Sequence, residues 1–213
     1  MTITNEDNME LMARYEDNHF ELAIVDPPYG IGYSKRKRRD KNHISKYKAK
    51  DWDDETPTKE YFEELFRVSK NQLIWGGNYF ELPLSRFFLI WVKQPEGVSQ
   101  SRAEYCWGSM DKSSNVFNYH IGNESGFAPK STDIDKQFAN IHPTQKPVRL
   151  YEWILDNYAK EGDKILDTHL GSGSIAIACH NRKFELTACE LDKEYYTKAM
   201  ERIEQHKKQL TLF

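Results

Sequence analysis

The chain has 213 residues, 38% hydrophobic and 13% aromatic, which suffices for one domain with a real core and excludes a disordered chain. Its apolar runs fall short of the roughly 18 residues of a membrane span and Met1–Asp7 has no signal-peptide character, so a cytoplasmic protein with no membrane partner is expected. Net charge is only −3, yet residues 35–50 hold nine Lys or Arg against one acid, about +8 beside a remainder of about −11. A positive stretch on a negative body is a local device rather than a property of the whole surface. Cys106, Cys179 and Cys189 lack metal-ligand spacing and read as buried reduced thiols; no metal site is expected.

In chain order, Asp7 is placed to cap a short amphipathic helix over residues 8–16. Phe20 to Val25 is an apolar run of the kind that forms a buried parallel strand. Asp26-Pro27-Pro28-Tyr29 follows, and then Gly30-Ile31-Gly32-Tyr33, which cannot be regular structure. A carboxylate thus sits at the C-terminal lip of a strand, where open α/β sheets bind ligands. The two prolines remove two backbone donors and stiffen the turn, leaving acceptors beside an aromatic ring. Such a cluster suits a planar amine: Asp26 and a proline carbonyl can each accept one proton of an exocyclic NH2 while Tyr29 stacks on the ring that bears it.

The basic stretch, with Lys35, Arg36, Lys37, Arg38, Arg39 and Lys41 at its head, has almost no apolar content and reads as a loop over residues 34–50 whose charges match a phosphate backbone. Thr56-Pro57 opens a helix through Ser69, with Tyr61, Phe62, Leu65, Phe66 and Val68 as its buried stripe. Strands are expected at Gln72–Trp75, Phe87–Lys93 and Ala103–Trp107, with a glycine turn at Gly76-Gly77-Asn78. Residues 108–140 are polar, with one alternating piece at 115–120 that reads as an edge strand.

Thr144 or Gln145 is placed to cap a helix from Pro147 to about Ala159, and a helix N-terminus beside Lys146 makes an anion site. Ile165-Leu166-Asp167 is a strand, Thr168-His169-Leu170-Gly171-Ser172-Gly173-Ser174 a glycine loop, and Ile175–His180 a helix, the arrangement that brings a nucleotide-like ligand close to backbone. The next strand, Phe184–Cys189, ends in Glu190-Leu191-Asp192, and an acid about 20 positions past the glycines suits a ribose diol, with Glu190 as the ligand. An amphipathic helix from Lys193 to about Lys208 closes the sheet.

Asp-Pro-Pro-Tyr at 26, His-Pro-Thr-Gln-Lys-Pro at 142 and Gly-Ser-Gly at 171, in that order, resemble the beta group of DNA amino-methyltransferases over nearly the whole chain. The resemblance implies an α/β, Rossmann-like class I fold with permuted motif order, in one domain over residues 1–213, with helices on both faces of a mostly parallel twisted sheet. It implies S-adenosylmethionine as cofactor and DNA as partner, with methyl transfer to adenine N6 through Asp26, Pro27, Pro28 and Tyr29. It further implies cofactor contacts from Asp7, Asp26, His142, Thr144, Lys146, Asp167, His169, Gly171, Ser172, Gly173, Ser174, Glu190, Leu191 and Asp192. Thr168-His169 departs from the family's Pro-Phe, and His169 is expected to take the aromatic's place. Gly-Gly-Asn at 76, the Trp91-x-Lys93 segment and Glu104 also resemble the family's middle motifs, and residues 108–140 stand where it inserts a target-recognition element, small here. A homodimer and a restriction endonuclease partner are compatible with this reading. Cytosine N4, RNA or a protein amide as acceptor, and a DNA-binding module with a decayed cofactor site, stand as alternatives.

Overall fold

The structure is a computed structural model that describes residues 1–32, 53–93, 101–119 and 145–210. Among the described residues eight strands form one sheet: β1 (Thr2–Thr4), β2 (Phe20–Val25), β3 (Ser69–Trp75), β4 (Phe87–Val92), β5 (Ala103–Gly108), β6 (Asn115–Asn118), β7 (Lys164–Asp167) and β8 (Glu185–Cys189). Their spatial order is β1-β8-β7-β2-β3-β5-β4-β6. The left half through β3 is parallel, β5 runs antiparallel to both β3 and β4, and β6 pairs parallel with β4 at the edge. The expected α/β class and mostly parallel sheet are those observed.

Among the described residues five α-helices cover the sheet: α1 (Asn8–Met12), α2 (Lys59–Val68), α3 (Val148–Tyr158), α4 (Ser174–Arg182) and α5 (Lys193–Leu210). β2 shows why both faces are covered. Leu22 and Ile24 join the core beneath α3, α4 and α5, whereas Ala23 and Val25 join the core formed with α1 and α2. A strand buried on both sides must be apolar at every position, which is the pattern of residues 22–25. All three cysteines are buried and free. Among the described residues no helix is long and apolar enough to cross a membrane.

Several boundaries differ from those expected. α1 stops at Met12 rather than residue 16, because the chain must turn back into β2, and it does so through Asn18 at φ 57°, whose N–H donates to the Arg67 carbonyl. α2 is capped by Thr58 with Pro57 outside the helix, and α3 has Pro147 as its cap rather than its first residue, with neither Thr144 nor Gln145 in the cap position. β4 is fully buried at Phe87, Leu89 and Trp91 and partly buried at the residues between them. Trp153 is half-buried, packed against the core and on Phe117 of the edge strand.

Candidate active site

β7 and β2 are parallel neighbours at the middle of the sheet, paired Leu22 to Ile165 and Ala23 to Leu166. From β7 the chain goes on to β8 on one side, and from β2 to β3 on the other, so this is the point where the winding reverses and a crevice opens at the C-terminal strand ends. Asp167 ends β7 and Asp26 follows β2. The two strong sequence signals therefore face one crevice from adjacent strands.

The turn after β2 is fixed by a residue outside it. The buried Asp53 accepts the backbone N–H of Tyr29 at 2.8 Å and of Gly30 at 3.1 Å through Oδ1, and its own carbonyl accepts Gly32 N–H at 2.9 Å. Tyr29 donates its hydroxyl to Asp26 Oδ1 at 2.7 Å and lays its ring on Tyr79, centroids 5.0 Å apart and planes 12° apart. Gly76 makes that ring position possible: its φ is +69° and a Cβ there would lie 2.2 Å from the Tyr29 ring. Burial, then the neighbouring charges of Asp26 and Glu104, push the Tyr29 phenol well above its ordinary pKa, so it acts as a donor.

Lys146 completes this half. It is 3% exposed, and its ammonium pairs with Asp26 Oδ2, lies 3.3 Å from Glu104 Oε2 and donates to the Tyr29 hydroxyl at 3.4 Å. It also sits over the Trp75 indole, 5.1 Å from the centroid. Glu104 is held in turn by Lys93. Burial alone would lower the Lys146 pKa, but the charges of Asp26 and Glu104 outweigh it and hold it above the usual lysine value. Burial likewise works against the Glu104 carboxylate, and Lys146 and Lys93 outweigh it, keeping it below the usual value. The sequence suggests a cluster of acceptors alone at this turn; the structure instead brings two donors, the Tyr29 hydroxyl and the Lys146 ammonium, onto Asp26. The anion site expected beside Lys146 is likewise changed, because its charge is taken up by two carboxylates of the protein.

The other half is built around the glycine turn. Gly171 and Gly173 have φ of 55° and 75°, and a Cβ on Gly173 would press on Ile203 at 3.1 Å. Glu190 at the end of β8 accepts Gly171 N–H at 2.8 Å and Asp192 N–H at 2.9 Å. Asp192 caps α5 by accepting Glu194 and Tyr195 N–H, and Leu191 between them is 70% exposed. Ser172 and Ser174 are buried and bound by the buried Arg202, which donates to the Ser172 carbonyl and the Ser174 hydroxyl, both at 2.9 Å. Asp7 caps α1 as expected, accepting Met9 N–H at 2.8 Å.

His169 is held on three sides: its Nδ1 meets Thr168 Oγ1 at 2.9 Å, its Nε2 meets Asn8 at 3.2 Å and its ring lies edge-on to Tyr61 at 5.4 Å. Burial lowers its pKa to about 4, so it is a neutral aromatic at physiological pH. Asp167, also buried, is pushed up to about 8 and accepts His169 N–H at 3.0 Å.

Asp26, Tyr29 and Lys146 thus converge, and so do Gly171, Ser172, Gly173, Ser174, Glu190 and Asp192. His142, Thr144, the basic residues Lys35, Arg36, Lys37, Arg38, Arg39 and Lys41, and most of 108–140 lie outside the described residues. Sequence reasoning gives no site role to Asp53, Tyr61, Asn8 or Arg202; Asp53 alone has a local signal, as the acid that ends the basic stretch. Among the described residues no cluster of three or more His, Cys, Asp or Glu could hold a metal ion.

A winding reversal with a glycine turn and acidic strand end on one side and the Asp26–Tyr29 turn on the other is the layout of a Rossmann-like fold. Residues 74–201 match the N6_N4 family model of DNA methylases, and the chain belongs to that family. The Type II methyltransferase M.HpaI of Haemophilus parainfluenzae is 24% identical over 92% of this chain and 72% of its own. M2.DpnII of Streptococcus pneumoniae is 22% identical over 96% of this chain and 90% of its own. Among solved structures, the M1.HpyAVI-SAM complex superposes with a TM-score of 0.57 at 21% identity, covering 94% of this chain and 98% of that one. The cytosine-N4-specific PvuII DNA methyltransferase does so with 0.60 at 11% identity, covering 97% and 89%.

Proposed function

We propose that the protein methylates adenine N6 in cytoplasmic DNA, using S-adenosylmethionine as methyl donor. The observation that carries this reading is the pairing, on adjacent strands β2 and β7, of the Asp26-Pro27-Pro28-Tyr29 turn with the Gly171–Ser174 turn. The residues fit the cofactor. Gly171 and Gly173 leave backbone open to close approach, and Glu190, which accepts the Gly171 and Asp192 N–H groups, puts a carboxylate at the strand end where a ribose diol would need an acceptor. Asp7, Lys146, Asp167, His169, Leu191 and Asp192 are the further contacts this reading assigns. When bound, S-adenosylmethionine supplies a methyl group on an electrophilic sulfonium.

The protein's share of the reaction is orientation and electrostatics. The adenine amino lone pair is delocalised into the ring, so the site must localise it: Asp26 and the Pro27 carbonyl accept its two protons and turn the pair toward the methyl. No covalent enzyme intermediate is needed. An amino nitrogen inside a duplex is out of reach, so the base must be extruded and stacked against Tyr29. Because Asp26 already receives the Tyr29 hydroxyl and the Lys146 ammonium, the incoming amine exchanges with one of these donors rather than filling a bare site.

The fold is shared with a cytosine-N4 enzyme and does not choose between bases; the tetrad itself supports adenine. Digesting genomic DNA from an expressing cell and measuring modified nucleosides by mass spectrometry tests the proposal. Accumulation of N6-methyladenine is expected. N4-methylcytosine in its place would transfer the reading to cytosine, and unmodified DNA with methylated RNA or protein would remove DNA as the substrate.

A further inference from the structure

Glu104 lies on β5, outside both motifs, yet it is the centre of a charged array. Lys93 holds it from β4, and Lys146 reaches it at 3.3 Å while also pairing with Asp26. Two lysines and two carboxylates make an array of zero formal charge, mostly withdrawn from water: the Lys146 side chain is 2% exposed, Lys93 15%, Asp26 19% and Glu104 23%. At such burial an uncompensated charge acts over several ångströms with little screening.

We propose that Glu104 is a positioning residue for methyl transfer, acting through Lys146 to hold the potential at the crevice neutral and leave Asp26 capacity to accept the substrate amine. This rests on the methyltransferase reading above. In the transfer the sulfonium S–C bond breaks as the N–C bond forms, sulfur becomes a neutral thioether, and the positive charge passes to the amino nitrogen until its proton leaves. One positive charge is therefore present in the crevice throughout. Without Glu104, Lys146 and Lys93 would face Asp26 alone. Lys146 would then bind Asp26 one-to-one, competing with the amine, and the excess positive charge would repel a sulfonium and a developing ammonium alike. Lys93 serves the opposite sign: it neutralises Glu104 and keeps its carboxylate turned toward Lys146.

Calorimetry on the purified full chain tests this with two probes, S-adenosylmethionine, which carries the sulfonium, and S-adenosylhomocysteine, which does not. Glu104→Gln is expected to raise the ratio of the S-adenosylmethionine Kd to the S-adenosylhomocysteine Kd by about tenfold. Lys93→Met, which removes a positive charge from the same array, is expected to move that ratio the other way, and Glu104→Asp to restore it. Single-turnover methylation of unmethylated DNA at saturating cofactor is expected to fall in Glu104→Gln. A merely structural role would weaken both probes in parallel, so equal losses, an unchanged ratio, or shifts of the same sign in both variants overturn the proposal. Should Glu104→Gln not fold, the direction of the Lys93→Met shift decides alone. A wild-type chain that binds neither probe would instead remove the methyltransferase reading itself.

Discussion

The Glu190 carboxylate accepts the backbone N–H of Gly171 at 2.8 Å, tying the end of β8 to the glycine turn after β7. Its other oxygen does the same for Asp192, so one side chain holds two segments of the proposed cofactor site in register. Replacing it removes the proposed ribose ligand and also releases the glycine turn.

Glu190→Gln is therefore expected to weaken S-adenosylmethionine binding by about 1–3 kcal/mol, the usual cost of leaving buried polar groups mispaired. The amide puts a donor where Gly171 or Asp192 also donates, so one of the two backbone bonds must break. Isothermal titration reads the change, and unaltered affinity would shift the ribose contact to Asp192.

Gly76→Ala should act on the acceptor side alone. The new Cβ would fall 2.2 Å from the Tyr29 ring at a φ of +69°, and neither the rigid ring nor the backbone can absorb that overlap in place. Tyr29 must leave its stack on Tyr79 and its hydrogen bond to Asp26. Turnover is expected to fall by at least tenfold while cofactor affinity changes little, since the substitution leaves the glycine turn and the charges around Lys146 in place. A variant that loses both together would mean that the two halves are not separable.

How much of the fold and site is legible in the sequence follows from the range of each interaction. The strands around the crevice are readable because β2 is apolar at every position but Glu21 and runs into Asp26-Pro27, and the Ile165-Leu166 pair of β7 is followed within a few residues by the glycine turn, signals contained in short stretches. Asp7 as a cap is readable for the same reason. The partners of Asp26 are not. Lys146 is 120 positions away in sequence and Glu104 sits on an antiparallel strand whose neighbours cannot be assigned from periodicity, so their pairing depends on a strand order that local pattern does not encode. Asp53 escapes likewise: a carboxylate that satisfies backbone N–H groups 23 and 24 positions earlier has no periodic signature.

Asp167 makes the stability of the free protein depend on pH. Its folded pKa of about 8 exceeds the ordinary value of about 3.9, so the native state binds more protons than the unfolded state between those limits. Its contribution is fully present below about pH 4 and is lost as pH rises toward 8, at no more than about 1.4 kcal/mol per unit. Asp167→Asn, which cannot ionise, should flatten the fall of Tm between pH 5 and 8. An unchanged slope in differential scanning fluorimetry would show that the carboxylate is not the group responsible.

The basic stretch bears on DNA affinity rather than on chemistry. Lys35, Arg36, Lys37, Arg38 and Arg39 follow the Asp26–Tyr29 turn within a few positions, and we propose that they meet the phosphate backbone beside the extruded base. Pairing with phosphate releases counterions and carries no sequence information, so the contribution of these residues should be uniform across DNA sequences. Replacing all five with Ser is expected to flatten the slope of log affinity against log salt by about 0.9 for each phosphate that is no longer neutralised, weakening all duplexes alike. Cofactor affinity should stay unchanged, since the stretch belongs to neither turn of the crevice. Binding titrations at several salt concentrations, on duplexes with and without a methylated site, measure both quantities. A variant that keeps the full salt slope and loses only its preferred site would make this stretch a reader of bases instead.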